Sequence, residues 1–384
     1  MPADGQLFLT EEQEMIRDMA RDFARRELAP YAAEWDRNGG FPEDMYRRMG
    51  ALGLMGMLAP EEFGGAEVGH LAYALAMEEI SAGDVGTASA MSVNNSLVCA
   101  GLAGFGSEDQ KERFLKPLAQ GKLLGAFGLT EPHTGSDASA LRTRAVLDGN
   151  NFILNGSKQF ITNGAKADVA LIIAVTDPEA GKKGLSCFIV PTDTPGFTVL
   201  KVEAKLGQRA HDTGQLVFED IQLTPDLMLG EPGQGYRIAL SNLESGRIAI
   251  ASQALGAARS AHEAALAYAK ERETFGKPII EHQAVSFRLA DMATEIEAAR
   301  LLTHHAARLS DAGLPCIKEA SMAKLYASEM AERVCSNAIQ TFGGYGYLND
   351  FPVERYWRDV KVCQIYEGTS DVQRIVIGRA IAAE

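Results

Sequence analysis

The hydrophobic period of this chain changes twice, and that change restricts its possible folds more than any single residue. Up to about Gly121 apolar residues recur at helical intervals. Thr10-Glu11-Glu12-Gln13 has the spacing of a capping box, and Met15, Ile16, Met19, Phe23 and Ala24 follow on one expected face. Pro42 and Asp44 lead into a second helix, His70 to Ile80 reads as another, and Glu108 to Ala119 as a charged one. A glycine-rich segment of small residues, Gly83 to Gly106, lies between the last two. From about Leu123 to Leu229 no helix of normal length fits. Arg144-Ala145-Val146-Leu147 and Phe152-Ile153-Leu154 flank the turn-forming Asp148-Gly149-Asn150-Asn151 as hairpin arms. Ala167 to Val175, Leu185 to Val190, Phe197 to Val202 and Gln215 to Phe218 read as further strands. Beyond Gly230-Glu231-Pro232-Gly233 the long helices return. Val285, Leu289, Met292, Ile296, Ala299 and Leu302 alternate steps of four and three, the pattern of a bundle helix. Strands without intervening helices argue against a parallel α/β sheet. The expected order is an all-α domain over 1–122, a β domain over 123–232 and a helical bundle over 233–384.

Length and composition narrow the function. A chain of 384 residues holds two or three domains. Its 37 basic and 51 acidic residues give a net charge of −14, with no basic run, so nucleic acid and anionic membranes are not expected partners. Cys99, Cys187, Cys316, Cys335 and Cys363 are scattered and form no C-x-x-C pair. That argues against disulfides or a zinc site and fits a reducing cytoplasm. No apolar run is long enough to insert as a transmembrane helix, and Met1 to Leu9 lacks a signal-peptide pattern. Neither G-x-G-x-x-G nor a P-loop occurs. His262-Glu263 lacks a second histidine, and the adjacent His304 and His305 point apart on a helix, so no metal is expected.

Four loops carry what chemistry can be read. Gly128-Leu129-Thr130-Glu131-Pro132-His133-Thr134-Gly135-Ser136-Asp137 is rich in hydroxyls and backbone donors, suited to a polar heterocycle or phosphate. Phe160-Ile161-Thr162-Asn163-Gly164 sets an aromatic two residues from a hydroxyl, able to cover a flat ring and touch its edge. Gln340-Thr341-Phe342-Gly343-Gly344-Tyr345-Gly346-Tyr347 lets backbone approach a ligand closely. In Ile365-Tyr366-Glu367-Gly368-Thr369-Ser370-Asp371, an acid stands at a glycine corner before a helix. Desolvation there raises a carboxylate's pKa and makes it a useful base; a solvent-facing capping turn is the alternative.

Taken together, these stretches resemble the acyl-CoA dehydrogenases, flavoenzymes that desaturate acyl-CoA thioesters between the α and β carbons. The likeness spans essentially the whole chain. Leu129 to Asp137 resembles the family's first signature, with Thr134 bulkier than expected there. Gln340 through Gly343, Gly344, Gly346, Asp350 and Arg355 to Asp359 is similar to the second, and Ile365 to Thr369 to the catalytic segment of the straight-chain branch. The resemblance implies an N-terminal helical domain, a middle β-barrel-like domain and a C-terminal four-helix bundle, assembled as a homotetramer around FAD. By position, Leu129, Thr130 and Ser136 would contact the flavin or its ribityl chain. Phe160 and Thr162 would lie against the isoalloxazine, Phe160 standing where many relatives have tryptophan. Arg272, Phe275, Gln283, Gln340, Gly343 and Gly344 would reach a neighbouring subunit's FAD, and Thr369 and Asp371 would touch the adenine-side portion of FAD. Glu367 would take the α-proton, while its own backbone N–H and a ribityl hydroxyl hold the developing enolate oxygen. One branch places its base where Gly246 stands here, and glycine cannot serve. Glu244 and Arg247, with Ser136, Tyr366 and Gly368, would meet the acyl-CoA. Met91-Ser92-Val93-Asn94-Asn95-Ser96 and Gly246-Arg247-Ile248 look most like short-chain (butyryl-CoA) members and short branched-chain ones. The expected electron acceptor is an electron-transferring flavoprotein. The expected location is the cytoplasm, with the matrix form of a mitochondrial protein as alternative. A non-catalytic flavin or CoA scaffold is the reading from another class.

Overall fold

The computed structural model describes residues 9–42, 44–241 and 243–384. The signal-peptide expectation falls almost wholly on residues 1–8, outside the described part. Among the described residues eight α-helices come first: α1 (Glu11–Phe23), α2 (Ala32–Asn38), α3 (Met45–Ala51), α4 (Gly69–Gly83), α5 (Val85–Ser92), α6 (Ala100–Phe105), α7 (Glu108–Gln110) and α8 (Lys116–Ala119). The capping box at Thr10 forms: its hydroxyl accepts the Gln13 N–H at 3.2 Å, and the Gln13 side chain accepts the Thr10 N–H at 3.1 Å. Four of the five expected residues reach the core, Phe23 and Ala24 buried and Ile16 and Met19 packed against it. Arg17, Ala20 and Phe23 face inward while Met15 is 72% exposed. Arginine can take an inward position because its apolar stem covers the core while its head finds a carboxylate. The small-residue segment 83–106 is mostly helical, α5 and α6 being joined by wider π turns over Val93–Cys99. It is buried nearly throughout, which is why no polar face marks it as helix.

The middle of the chain forms one eight-stranded sheet: β1 (Gly125–Gly128), β2 (Arg144–Asp148), β3 (Asn151–Thr162), β4 (Val169–Val175), β5 (Leu185–Pro191), β6 (Phe197–Val202), β7 (Thr213–Leu223) and β8 (Met228–Leu229). The strand order is β6-β7-β3-β2-β4-β5-β8, with β1 on β4. The β2–β3 hairpin pairs Arg144 with Asn155 and Asp148 with Asn151, as its turn residues anticipate. Two pairings are parallel, β1 with β4 and a single residue pair between β2 and β4. The sequence reading contained no β1, whose four residues are too few to show a period.

The last third is helical: α9 (Gly235–Ser241), α10 (Leu243–Glu271), the short hairpin β9 (Glu273–Thr274) and β10 (Lys277–Pro278), α11 (Gln283–Asp311), α12 (Ile317–Phe342), α13 (Val353–Val360) and α14 (Ser370–Ala383). Helices α10, α11 and α12 share a core through residues such as Leu255, Met292, Ile296, Met330 and Val334, and with α14 they make the four-helix bundle. Each such fully buried aliphatic side chain contributes about 1.5–3 kcal/mol. The stripe from Leu289 through Met292 and Ile296 to Ala299 is buried, as its spacing requires. Helix α4 is fastened to this bundle. A Cβ on Gly256 of α10 would lie 2.2 Å from the Glu78 carbonyl, so only glycine permits the contact. Around it Glu78 pairs with Arg259 and Arg300, both at 3.0 Å, and Glu79 with Arg259 at 2.7 Å. Buried pairs of this kind fix register more than they add stability.

Candidate active site

Glu367 sits between the short turn that follows α13 and the N-cap of α14. Both it and Gly368 have left-handed backbone, at φ +52° and +85°. Such a conformation strains any residue with a Cβ and persists only where surroundings hold it. The corner turns the carboxylate onto α10. A Cβ built on Gly246 would lie 2.9 Å from Glu367 Oε2 and 3.2 Å from its carboxyl carbon. Burial pushes this carboxyl above its ordinary pKa range, against the opposing pull of Lys324 and Arg247. Sequence reasoning placed Glu367 and Gly246 in one site, and the fold brings them into contact.

Arg247, one residue on, is 3% exposed; its Nη1 donates to Ser321 Oγ at 3.0 Å, while Nε has no partner among the described residues. Glu244, a turn earlier, accepts from the Cys316 thiol at 3.4 Å. Lys324 is completely buried in α12 and donates to the Gly368 carbonyl at 2.6 Å. Nothing in the sequence pointed to it. The Tyr366 hydroxyl donates to Gln253 Oε1 at 2.6 Å and accepts from Gln208 Nε2 at 3.2 Å. Gln253 in turn donates to Ser89 Oγ at 2.7 Å and to the Val85 carbonyl at 2.8 Å. This network, drawn from α5, the 203–212 loop, α10 and the Glu367 segment, was also not legible beforehand. It turns the Tyr366 hydroxyl inward, while the ring packs against the bundle core.

A second group assembles at the ends of β1 and β3. The Gln159 N–H donates to the Thr130 carbonyl at 2.9 Å, so the Leu129–Thr130 and Phe160–Thr162 stretches are neighbours. Phe160, at φ +60°, is 64% exposed and presents a flat apolar face. Behind it the fully buried Lys158 binds Glu131 at 2.8 Å and the Leu129 carbonyl at 3.0 Å. Glu131 also accepts the N–H groups of Arg142 and Thr143 at 2.7 and 3.0 Å. Ser136 lies exposed farther along the loop.

The third group opens on a cleft of about 430 Å³ whose walls include Tyr268, Arg272, Thr274, Gly343, Gly344 and Tyr345. The Arg272 guanidinium stands 5.8 Å from the Tyr345 ring centroid. Where side chains would grow from Gly343 and Gly344 the space is open. Phe275, at the β9–β10 turn, is 97% exposed. Gln283 and Gln340 are exposed as well, Thr369 caps α14 by accepting the Val372 N–H at 3.2 Å, and the Asp371 side chain points to solvent. A planar ring needs an uncovered apolar face, and a pyrophosphate needs an arginine beside bare backbone. The Phe160 and Arg272 groups supply these, so the residues present fit FAD.

Comparison with known proteins agrees over the whole chain. Residues 10–122, 126–221 and 233–382 match the N-terminal, middle and C-terminal domains of acyl-CoA dehydrogenase. The human short-chain specific acyl-CoA dehydrogenase of mitochondria is 49% identical over 369 residues, 96% of this chain and 90% of that protein. Butyryl-CoA dehydrogenase from Megasphaera elsdenii superposes with a TM-score of 0.96 at 44% identity, covering 98% of this chain and 100% of that one. A glutaryl-CoA dehydrogenase from Mycobacterium smegmatis, in complex with FADH2, gives a TM-score of 0.94 at 36% identity, with 99% and 97% covered.

Proposed function

Because the chain belongs to the acyl-CoA dehydrogenase family, we propose that it desaturates short-chain, butyryl-like acyl-CoA thioesters, with Glu367 as the base. The observation that carries this reading is the Glu367 carboxylate, turned by a left-handed corner onto the bare backbone of Gly246 and flanked by buried Arg247 and Lys324. An α-hydrogen next to a thioester is weakly acidic, so its base must be aimed and the developing oxyanion stabilised. Glu367 removes that proton, and its raised pKa brings the carboxylate closer in basicity to the task. Its main-chain N–H serves the enolate oxygen, and substrate entry expels water and strengthens both effects. Bound FAD supplies the two-electron acceptor that takes the β-hydride.

Leu129, Thr130, Ser136, Phe160 and Thr162 hold the flavin half of FAD in this reading. Arg272, Phe275, Gln283, Gln340, Gly343 and Gly344 reach the FAD of a neighbouring subunit, and Thr369 and Asp371 touch the adenine-side portion of FAD. The exposure of Phe275 and the open wall at Gly343–Gly344 support that division and a homotetramer. Glu244 and Arg247 with Ser136 engage CoA; Tyr366 and Gly368 line the acyl end. An electron-transferring flavoprotein takes the electrons. Five free, buried cysteines support a reducing, cytoplasmic setting. Among the described residues no helix is long and apolar enough to cross a membrane.

Anaerobic titration with butyryl-CoA and isobutyryl-CoA tests the proposal, the straight chain bleaching the flavin faster. A flavin bleached by no acyl-CoA would sink it. Glu367→Gln should keep FAD yet slow bleaching by at least about 10³-fold; full activity in that variant would remove Glu367 from its role.

A further inference from the structure

Two neighbouring carbonyls fix the Glu367 corner, and both are held by side chains with no exposed surface. Lys324 Nζ, from the middle of α12, donates to the Gly368 oxygen at 2.6 Å. Gln373 Nε2, from the first turns of α14, donates to the Glu367 oxygen at 2.9 Å and the Gly368 oxygen at 3.0 Å. Both side chains are 0% exposed. Gly368 leaves no alternative there, since a Cβ on it would lie 2.7 Å from Gln373 Nε2. With those two peptide planes pinned after Glu367, and the Tyr366 N–H bonded to the Val362 carbonyl at 3.1 Å and its hydroxyl anchored on Gln253 before it, the backbone is fastened on both sides of Glu367. The direction of its N–H and of its carboxylate follows. We propose that Lys324 and Gln373 are positioning residues for Glu367, holding it in a left-handed conformation that an unsupported glutamate would leave. The inference rests on the reading of Glu367 as the base.

Lysine is a costly choice for a hydrogen bond that a neutral donor could make, because burial disfavours its charge. Here burial pulls the Lys324 ammonium down to about 8. What the charge adds is a field at the carboxylate. Lys324 from α12 and Arg247 from α10 both favour the ionised form of Glu367, while the buried Tyr73 phenol of α4, which also feels that carboxylate, stays neutral. Glu244, on α10, faces Arg247. Lys324 thus combines a geometric duty shared with Gln373 and an electrostatic one that Gln373 lacks.

That difference gives the test. Flavin-loaded Lys324→Met and Gln373→Met are mixed anaerobically with butyryl-CoA, and flavin reduction is followed per bound flavin across the acid and neutral range. Both should react about 10- to 100-fold more slowly than wild type, with KM changed less than about threefold. Lys324→Met alone should move the acid limb of the rate profile to higher pH, by about one pH unit, because loss of the cation raises the Glu367 pKa. A residue that merely stabilises the fold would lower the yield of loaded enzyme and leave both the per-flavin rate and the acid limb unchanged; that result overturns the inference. If Lys324→Met fails to load flavin, Gln373→Met decides, a wild-type per-flavin rate refuting it and a slowed one supporting it. The underlying reading fails separately, since in that case the wild-type flavin is not bleached at all.

Discussion

At Gly246 the helix backbone comes so close to Glu367 that one added methyl would lie 2.9 Å from Oε2. The far end of a glutamate yields more easily than a 29-residue helix, so Gly246→Ala should fold. Alanine even favours the helix by up to about 1 kcal/mol. Its cost falls on the carboxylate, which must shift from its aim. A misplacement of about 1 Å can cost on the order of 10²-fold, and that loss in flavin reduction rate, at a melting temperature no lower than wild type, is the expected outcome in stopped-flow and thermal scans. Gly246 was legible beforehand only through the family resemblance, which supplies the position where one branch carries its base. Lys324 and Gln373 were not. Nothing in the spacing of a buried lysine says which carbonyl it will meet 44 residues later.

Among the elements, the 128–137 loop owes its shape to an ion pair that lies entirely under it. Lys158 is 0% and Glu131 3% exposed; burial draws the lysine down to about 8, while the pairing holds Glu131 below its usual range. Lys158→Met leaves Glu131 as a lone buried charge. The expected loss is about 3–5 kcal/mol in denaturant melts, accompanied by flavin release seen as rising fluorescence, and adding Glu131→Gln should recover part of it. Helix α13 carries a second dependence. Asp359 is buried beside Asp84 and Asp36, opposed by Arg355, and is pushed up to about 7. A folded-state pKa above the unfolded value means the native protein binds the extra proton, so stability falls as pH rises from about 4 to about 7. Asp359→Asn should therefore melt higher than wild type, by a margin that grows through that window and levels off above it. The strong periods were the readable part of these elements: α11 and the β2–β3 hairpin came out as their patterns demand. Helix α5 and its π continuation, buried all round, and the four-residue β1 carry no period to read.

Across the whole molecule, the proposed homotetramer needs a surface to form on. Helix α11 leaves Phe287 and Leu301 at 58% and 61% exposure, and Phe275 and Tyr347 are barer still, at 97% and 87%. Side chains this large and this bare are where a contact surface would save the most apolar area from water. The double variant Phe287→Asp, Leu301→Asp should sediment as a smaller species and lose flavin in proportion, because Arg272 and Phe275 would no longer reach a neighbour. Unchanged sedimentation would put the interface elsewhere. The α–β–α order was legible because each third has its own period, whereas the way the thirds close on one another was not, being written in single long-range hydrogen bonds. The Tyr366 hydroxyl is the clearest of these. Its partners come from residues 85–89, 208 and 253 by way of Gln253 and Gln208. No one third of the chain can complete that set. The proposed base therefore gains its full set of supports only when the whole chain has folded, and a nascent or clipped chain lacks the anchor of Tyr366 beside it.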